Sequence, residues 1–217
     1  MKGRYPGRYD LYARQTPGQT VGPFFAQGLV RCAPVFQSKQ LCSAERDVIH
    51  QLLADDATAG ERLRIEGTVY DGLDRPVPDA MLEIWQADAA GRYAHPLQLG
   101  ERQREAAFQG FSRAATDDSG RYFFETIRPG SVPGPGGAAQ AAHINVVLGA
   151  RGLPTLLFTR IYFAEDPALA HDPVLMLVPA ARRATLLARR VADSAGRGTL
   201  VFDLHLQGDG ETVFFDF

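Results

Sequence analysis

Between Arg62 and Leu206, short runs rich in β-branched and aromatic residues are interrupted by Asp71-Gly72, Pro76 to Pro78, Ser119-Gly120 and Pro129-Gly130. Proline and glycine at this spacing leave no room for long helices and supply the backbone angles of tight turns. The runs themselves, Arg62 to Tyr70, Met81 to Ala87, Arg121 to Glu125, His143 to Leu148, Thr155 to Phe163 and Gly198 to Leu206, read as strands. Short strands parted by hairpin-type turns predict a mainly β chain with an antiparallel β-sandwich core.

Two stretches depart from this pattern. Ser43 to Ala54 has a serine N-cap, an acidic first turn, and Val48, Ile49, Leu52 and Leu53 at helical spacing, which predicts a short helix. Pro179 to Arg190 opens on proline and carries Leu186 and Leu187 among arginines, which predicts a second. The opening forty residues show neither a two-residue nor a 3.6-residue period and are expected to form an extended arm. Its aromatics Tyr5, Tyr9, Tyr12, Phe24, Phe25 and Phe36 need a surface to lie on, either the chain's own or a partner's. The organisation expected is an arm with its short helix over residues 1–60 and one sandwich domain over residues 61–217. Gly130 to Gly137, GSVPGPGG, is expected to be a flexible loop leading into the strand at His143.

Charge excludes some partners. The 23 basic and 25 acidic residues leave a formal net charge of -2, so there is no basic field of the kind that nucleic acid or an anionic membrane attracts. The first twenty residues contain no apolar run of signal-peptide or membrane-span length. A chain with 45% hydrophobic residues has a core to hold it together, so Cys32 and Cys42 read as reduced thiols in a cytoplasmic protein.

Taken in order, RLRIEGTVYDGLDRPVPDAMLEIWQADAA from Arg62, GRY at Gly91 to Tyr93, TDDSGRYFFETIRPG from Thr116 and AAHIN from Ala141 resemble the intradiol ring-cleavage dioxygenase family. TPGQTVGPFF at Thr16 to Phe25 and ARG at Ala150 to Gly152 add to the resemblance, and the tail GETVFFDF from Gly210 resembles in particular the alpha-type chains of its protocatechuate 3,4-dioxygenase branch. The resemblance implies a β-sandwich that, with a beta subunit, opens the ring of protocatechuate with O2 to give 3-carboxy-cis,cis-muconate. It also implies a ferric ion held by two tyrosines and two histidines, a hard donor set that suits Fe(III). The two histidines form a His-x-His pair, which a strand's two-residue period points to one face.

Matched to that motif, this sequence is short of donors. Tyr93 keeps the first tyrosine position, but Val132 stands at the second and has no donor atom. His143 keeps one histidine, while Asn145 replaces the other with a weak neutral amide. Gln140 stands where the family's catalytic chains carry an arginine. Tyr93 and His143 are therefore expected to be the relic of a metal site, with no metal and no catalytic residue on this chain and the Fe(III) on the partner beta chain. His50, His95, His171 and His205 fall at unrelated spacings and read as surface or structural, and Trp85, on an alternating strand, reads as core.

The resemblance also offers substrate-binding positions: Thr20 and Gly22 in the arm, and Arg151 beside the substrate carboxylate. Arginine suits a carboxylate, and Gly22 lets backbone approach a ligand without a Cβ. The expected assembly is a higher hetero-oligomer of alpha-beta units. Two other classes stay open: an assembly or stability module that never touches substrate, and a self-sufficient intradiol enzyme with unusual ligands, against which Val132 and Asn145 speak.

Overall fold

The computed structural model describes residues 22, 53–54, 58–95, 108–191 and 198–216. In chain order the strands are β1 (Arg62–Tyr70), β2 (Met81–Gln86), β3 (Phe111–Ala115), β4 (Arg121–Ile127), β5 (Val132–Pro133), β6 (Ala139–Gln140), β7 (His143–Gly149), β8 (Leu157–Phe163), β9 (Leu187–Val191), β10 (Gly198–Val201) and β11 (Leu204–His205). The fold is mainly β, as expected. One nine-stranded sheet runs β11-β1-β10-β9-β8-β7-β2-β3, with β4 paired to β1, and β5 and β6 form a separate two-stranded ribbon.

Period-two alternation decides which side chains enter the core. Leu63, Ile65 and Val69 of β1, Leu82 and Ile84 of β2, Phe124 of β4, Ile144, Val146 and Leu148 of β7, Ile161 and Phe163 of β8 and Leu200 of β10 form one buried cluster. Residues from both ends of the strand order meet there, so the sheet curls round a shared interior. A second, smaller cluster lies on the outer side of β8, where Tyr162 packs with Ala141, Leu175, Val178 and Leu186.

The pairing is mixed. β1 runs parallel to both β10 and β11, and β8 runs parallel to β9, within an otherwise antiparallel sheet. The predicted strand Gly198 to Leu206 is broken at Phe202-Asp203, where Phe202 N donates to Glu66 O at 2.9 Å and the Asp203 carboxylate accepts from Thr68 N at 2.9 Å. The predicted second helix is a 3-10 helix over Ala180–Leu186, and its last residues become β9. Pairing of Arg189 to Val191 with β10 supplies backbone bonds that outweigh a modest local helix preference. Strand β3 was not anticipated, because FSRAA is too short and too polar to register as a strand. The GSVPGPGG loop is more structured than expected and holds β5 and a 3-10 turn over Pro135–Gly137. The predicted helix at Ser43 to Ala54 and the arm lie outside the described residues, apart from Gly22, Leu53 and Ala54. Leu53 N donates to Glu125 O at 2.8 Å.

One close approach in β1 depends on glycine. A Cβ built on Gly67 would stand 1.9 Å from Phe202 O, the carbonyl that also accepts a 2.6 Å bond from the buried Tyr122 hydroxyl. Gly67→Ala is therefore expected to cost about 1–3 kcal/mol of stability through overpacking, read from urea unfolding. Gly210→Ala, where a Cβ meets nothing within 4 Å, is the control and should stay within about 0.5 kcal/mol of the parent.

Candidate functional site

The outer face of β2, β7 and β8 gathers the polar side chains that the core rejects. On β7 these are His143 and Asn145, two residues apart and so on one side of the sheet. Tyr93 is brought over them by the turn after β2. Asp88 folds that turn by accepting from Ala90 N and Arg92 N, each at 2.9 Å, and Arg92 Nη2 closes on its carboxylate at 2.8 Å. Gly91 adopts φ 77, and a Cβ there would stand 2.0 Å from Ser131 O, so the turn and the Gly130-Ser131 segment touch through a glycine.

Tyr93 packs edge-on against Trp85, with ring centroids 5.6 Å apart, and its hydroxyl accepts from Asn145 Nδ2 at 3.3 Å. The same Nδ2 donates to Trp85 O at 3.2 Å. Burial pushes the Tyr93 phenol above its ordinary range, against the opposing pull of the Asn145 hydrogen bond and the Arg160 charge. His143 is 3% exposed and bonds through Nδ1 to Ala141 O at 2.8 Å, which assigns the ring proton to Nδ1. Burial first, then the Arg160 guanidinium, lower its pKa to about 4, so the imidazole is neutral at ordinary pH.

Beneath this pair lies a hydrogen-bonded support. Arg160 Nη1 donates to Gln140 Oε1 at 2.7 Å and to the Tyr162 hydroxyl at 3.2 Å. Tyr162 donates in turn to Asp172 Oδ1 at 3.0 Å. Asp172, fully buried, also accepts from Ala141 N at 2.8 Å, Val174 N at 2.9 Å and Leu175 N at 2.7 Å. Val132 is buried and pairs with Gln140 across the β5-β6 ribbon.

These residues do not fit a ferric ion. Val132 brings no donor, Asn145 turns its amide N–H, rather than a lone pair, toward Tyr93, and burial favours the neutral phenol. With Nδ1 donating to Ala141 O, His143 Nε2 keeps a lone pair, and Tyr93 and Asn145 add only neutral oxygens. The structure joins Tyr93 to Asn145 by a hydrogen bond, with His143 on the same side of β7 as Asn145. It does not bring Arg151 to them. Arg151 follows the far end of β7, half exposed and paired with Asp79 at 2.7 Å. Gly22 is exposed, with nothing among the described residues within 4 Å of where a Cβ would stand, and Thr20 lies outside the described residues.

Trp85 is not core. It is 46% exposed and lies on the outer face with Glu83, against Tyr93. The signal was in the alternation of MLEIWQ: Leu82 and Ile84 point inward, so Trp85 shares the side of a glutamate. His205 stacks on Tyr70 with centroids 5.0 Å apart, and His95 and His171 are exposed, in keeping with the structural reading; His50 lies outside the described residues. Arg160, Tyr162 and Asp172 were missed, because no sequence pattern states which residue of β8 faces Asn145.

Because the fold selects neutral His143, protonation favours the unfolded chain. As pH falls from 6.5 to about 4 this residue alone should remove roughly 3 kcal/mol of stability, with no further loss below that window. Urea unfolding at pH 7 and pH 4.5 should show His143→Gln losing less on acidification than the parent; equal losses would assign the effect to other groups.

A family model described as Dioxygenase matches residues 32–208. The protocatechuate 3,4-dioxygenase alpha chain of Burkholderia cepacia is 43% identical over 206 residues, which cover 94% of this chain and 98% of the relative. The beta chain from the same organism is 34% identical over 185 residues, 83% of this chain and 79% of the relative. The dioxygenase domain of a dioxygenase carbohydrate-binding protein fusion from Streptomyces sp. SirexAA-E superposes with a TM-score of 0.57 at 25% identity, over 74% of this chain and 88% of that one. The chain accordingly belongs to the intradiol ring-cleavage dioxygenases, and its higher identity and fuller coverage against the alpha chain set it on the alpha side of that family.

Proposed function

We propose that this chain works as the alpha subunit of protocatechuate 3,4-dioxygenase, closing the active site of a beta subunit that carries the Fe(III). The observation that carries the reading is the centre at Tyr93, where a valine and an amide N–H stand in place of two donors. Likeness to an alpha chain over nearly its full length supports it, as does likeness to a beta chain, the second member of the pair. In the joint reaction, protocatechuate and O2 give 3-carboxy-cis,cis-muconate, and the ferric ion that activates the bound catecholate belongs to the partner. A cytoplasmic setting and an assembly of several alpha-beta units complete the proposal; among the described residues no helix is long and apolar enough to cross a membrane.

This chain's share is recognition and orientation. Arg151 offers a permanent positive charge to the substrate carboxylate, remote from the hydroxyls that react. Its present partner is Asp79, and with side chains 47% and 36% exposed that pair contributes little, so a carboxylate in a closed pocket displaces it at small cost. Thr20 adds a hydroxyl donor and Gly22 a backbone free of a Cβ. Holding the carboxylate fixes the ring and raises the fraction of bound substrate in a reactive pose. A second reading, an assembly module that never touches substrate, draws on the same Asp79 pair, which already neutralises Arg151.

Purified alone and supplied with Fe(III), protocatechuate and O2, the chain is expected to show no turnover, and to restore it to a beta subunit on mixing. Turnover of the lone chain at the rate of the pair would overturn the subunit reading. In the reconstituted complex, Arg151→Ala should lower kcat/KM about 10- to 100-fold, chiefly through KM, with assembly unchanged. Unaltered kinetics with normal assembly would favour the scaffold.

A further inference from the structure

Asp79 and Arg151 meet because they continue the β2-β7 ladder past its last pair. Met81 stands opposite Gly149 in that register, and one further two-residue step sets Asp79 opposite Arg151. The contact that results is 2.7 Å between Arg151 Nη2 and Asp79 Oδ2. Its two members are not equally free. Asp79 has φ 63, in the left-handed region that residues other than glycine, asparagine and aspartate seldom occupy. Pro78 before it is fixed in φ, and the buried Thr116 clamps both flanks. The Thr116 hydroxyl donates to Val77 O and accepts from Ala80 N, each at 2.8 Å, and Thr116 N donates to Ala80 O at 2.9 Å. Arg151 follows the end of β7 instead, and it reaches Asp79 along a half-exposed, flexible stem.

A strained backbone held by its surroundings keeps its carboxylate in place when a ligand arrives. We propose that Asp79 is a specificity-determining residue: a fixed internal stand-in for the substrate's carboxylate, which neutralises Arg151 while the pocket is empty and competes for it when the anionic ring enters. Arg151 can turn toward the incoming carboxylate, but Asp79 cannot withdraw. The bound state therefore holds two like charges beside one guanidinium, and their repulsion offsets part of what Arg151 contributes. Affinity for a carboxylate-bearing ring is set below the value that Arg151 alone would give, and a small inorganic anion finds no bare charge to occupy. A ring without a carboxylate takes no part in the competition.

This inference rests on the reading that Arg151 meets the substrate carboxylate, and the experiment separates the two. In the complex reconstituted with the beta subunit, KM is measured for protocatechuate, and catechol, which lacks the carboxylate, is followed as substrate or competitive inhibitor. Asp79→Asn keeps the shape of the side chain and tolerates the left-handed angle. It is expected to lower KM for protocatechuate about 2- to 5-fold and to leave the catechol constant unchanged. On an Arg151→Ala background the same substitution should not change KM for protocatechuate further. Asp79→Gly, which also relieves the backbone, carries the test should the asparagine variant not assemble. An unchanged or raised KM for protocatechuate in Asp79→Asn, or an equal fall in the catechol constant, would overturn the role given to Asp79. If Arg151→Ala alone leaves KM at the parent value, the reading beneath is overturned instead.

Discussion

The backbone ladder of β7 with β2 and β8 is the constraint on which the rest of the structure hangs. Its register places Ile144, Val146 and Leu148 in the core and so commits His143 and Asn145 to the outside. The same register fixes what stands beside them: Trp85 across from Asn145 on one side and Arg160 on the other. A one-residue slip would exchange core for surface along the whole strand, so the apolar residues enforce the geometry of the polar ones. The positions of the outer side chains are set by leucine, isoleucine and valine of the core, none of which bind anything.

Within that frame the outer cluster is a continuous hydrogen-bonded network from Gln140 through Arg160 and Tyr162 to Asp172. The tautomer of His143 is fixed by a carbonyl, the Tyr93 phenol is held in its neutral form by burial, and the Asn145 amide spends its N–H on Tyr93 and Trp85. Asp172 anchors the floor, where four hydrogen bonds to one buried carboxylate would each leave an unmatched donor if it were removed. Such a network is rigid, and it resembles packing around a spacer more than a pocket awaiting a ligand.

What could be read from the chain followed locality. The strands of β1, β2, β4, β7 and β8 were legible because their alternation is written in consecutive residues, and so were the substitutions at Val132 and Asn145, given the motif they interrupt. Long-range facts were not. The parallel pairing of β1 with β10 and β11 joins segments more than a hundred residues apart, and nothing in either segment names its partner. Arg160 is ordinary as a sequence residue and becomes informative only through the pairing that sets it against Asn145. The run before Arg190 misled because leucine and arginine favour a helix alone, whereas β10 offered Arg189 to Val191 a ladder. Trp85 misled for a different reason: size suggested burial, and only its shared face with Glu83 contradicts that.

The two ends of β7 carry separate histories. His143 opens the strand and Arg151 follows its close, a separation of roughly 25 Å at the rise of an extended chain. A group at that distance cannot serve a metal bound near His143, so the proposed anion contact of Arg151 belongs to a pocket that this chain only borders. The Asp79 pair, held at 2.7 Å and exposed, binds Arg151 weakly enough for the proposed substrate carboxylate to replace it. In a pair of related chains, one centre can lapse while the surfaces that complete its neighbour's centre stay under separate constraint.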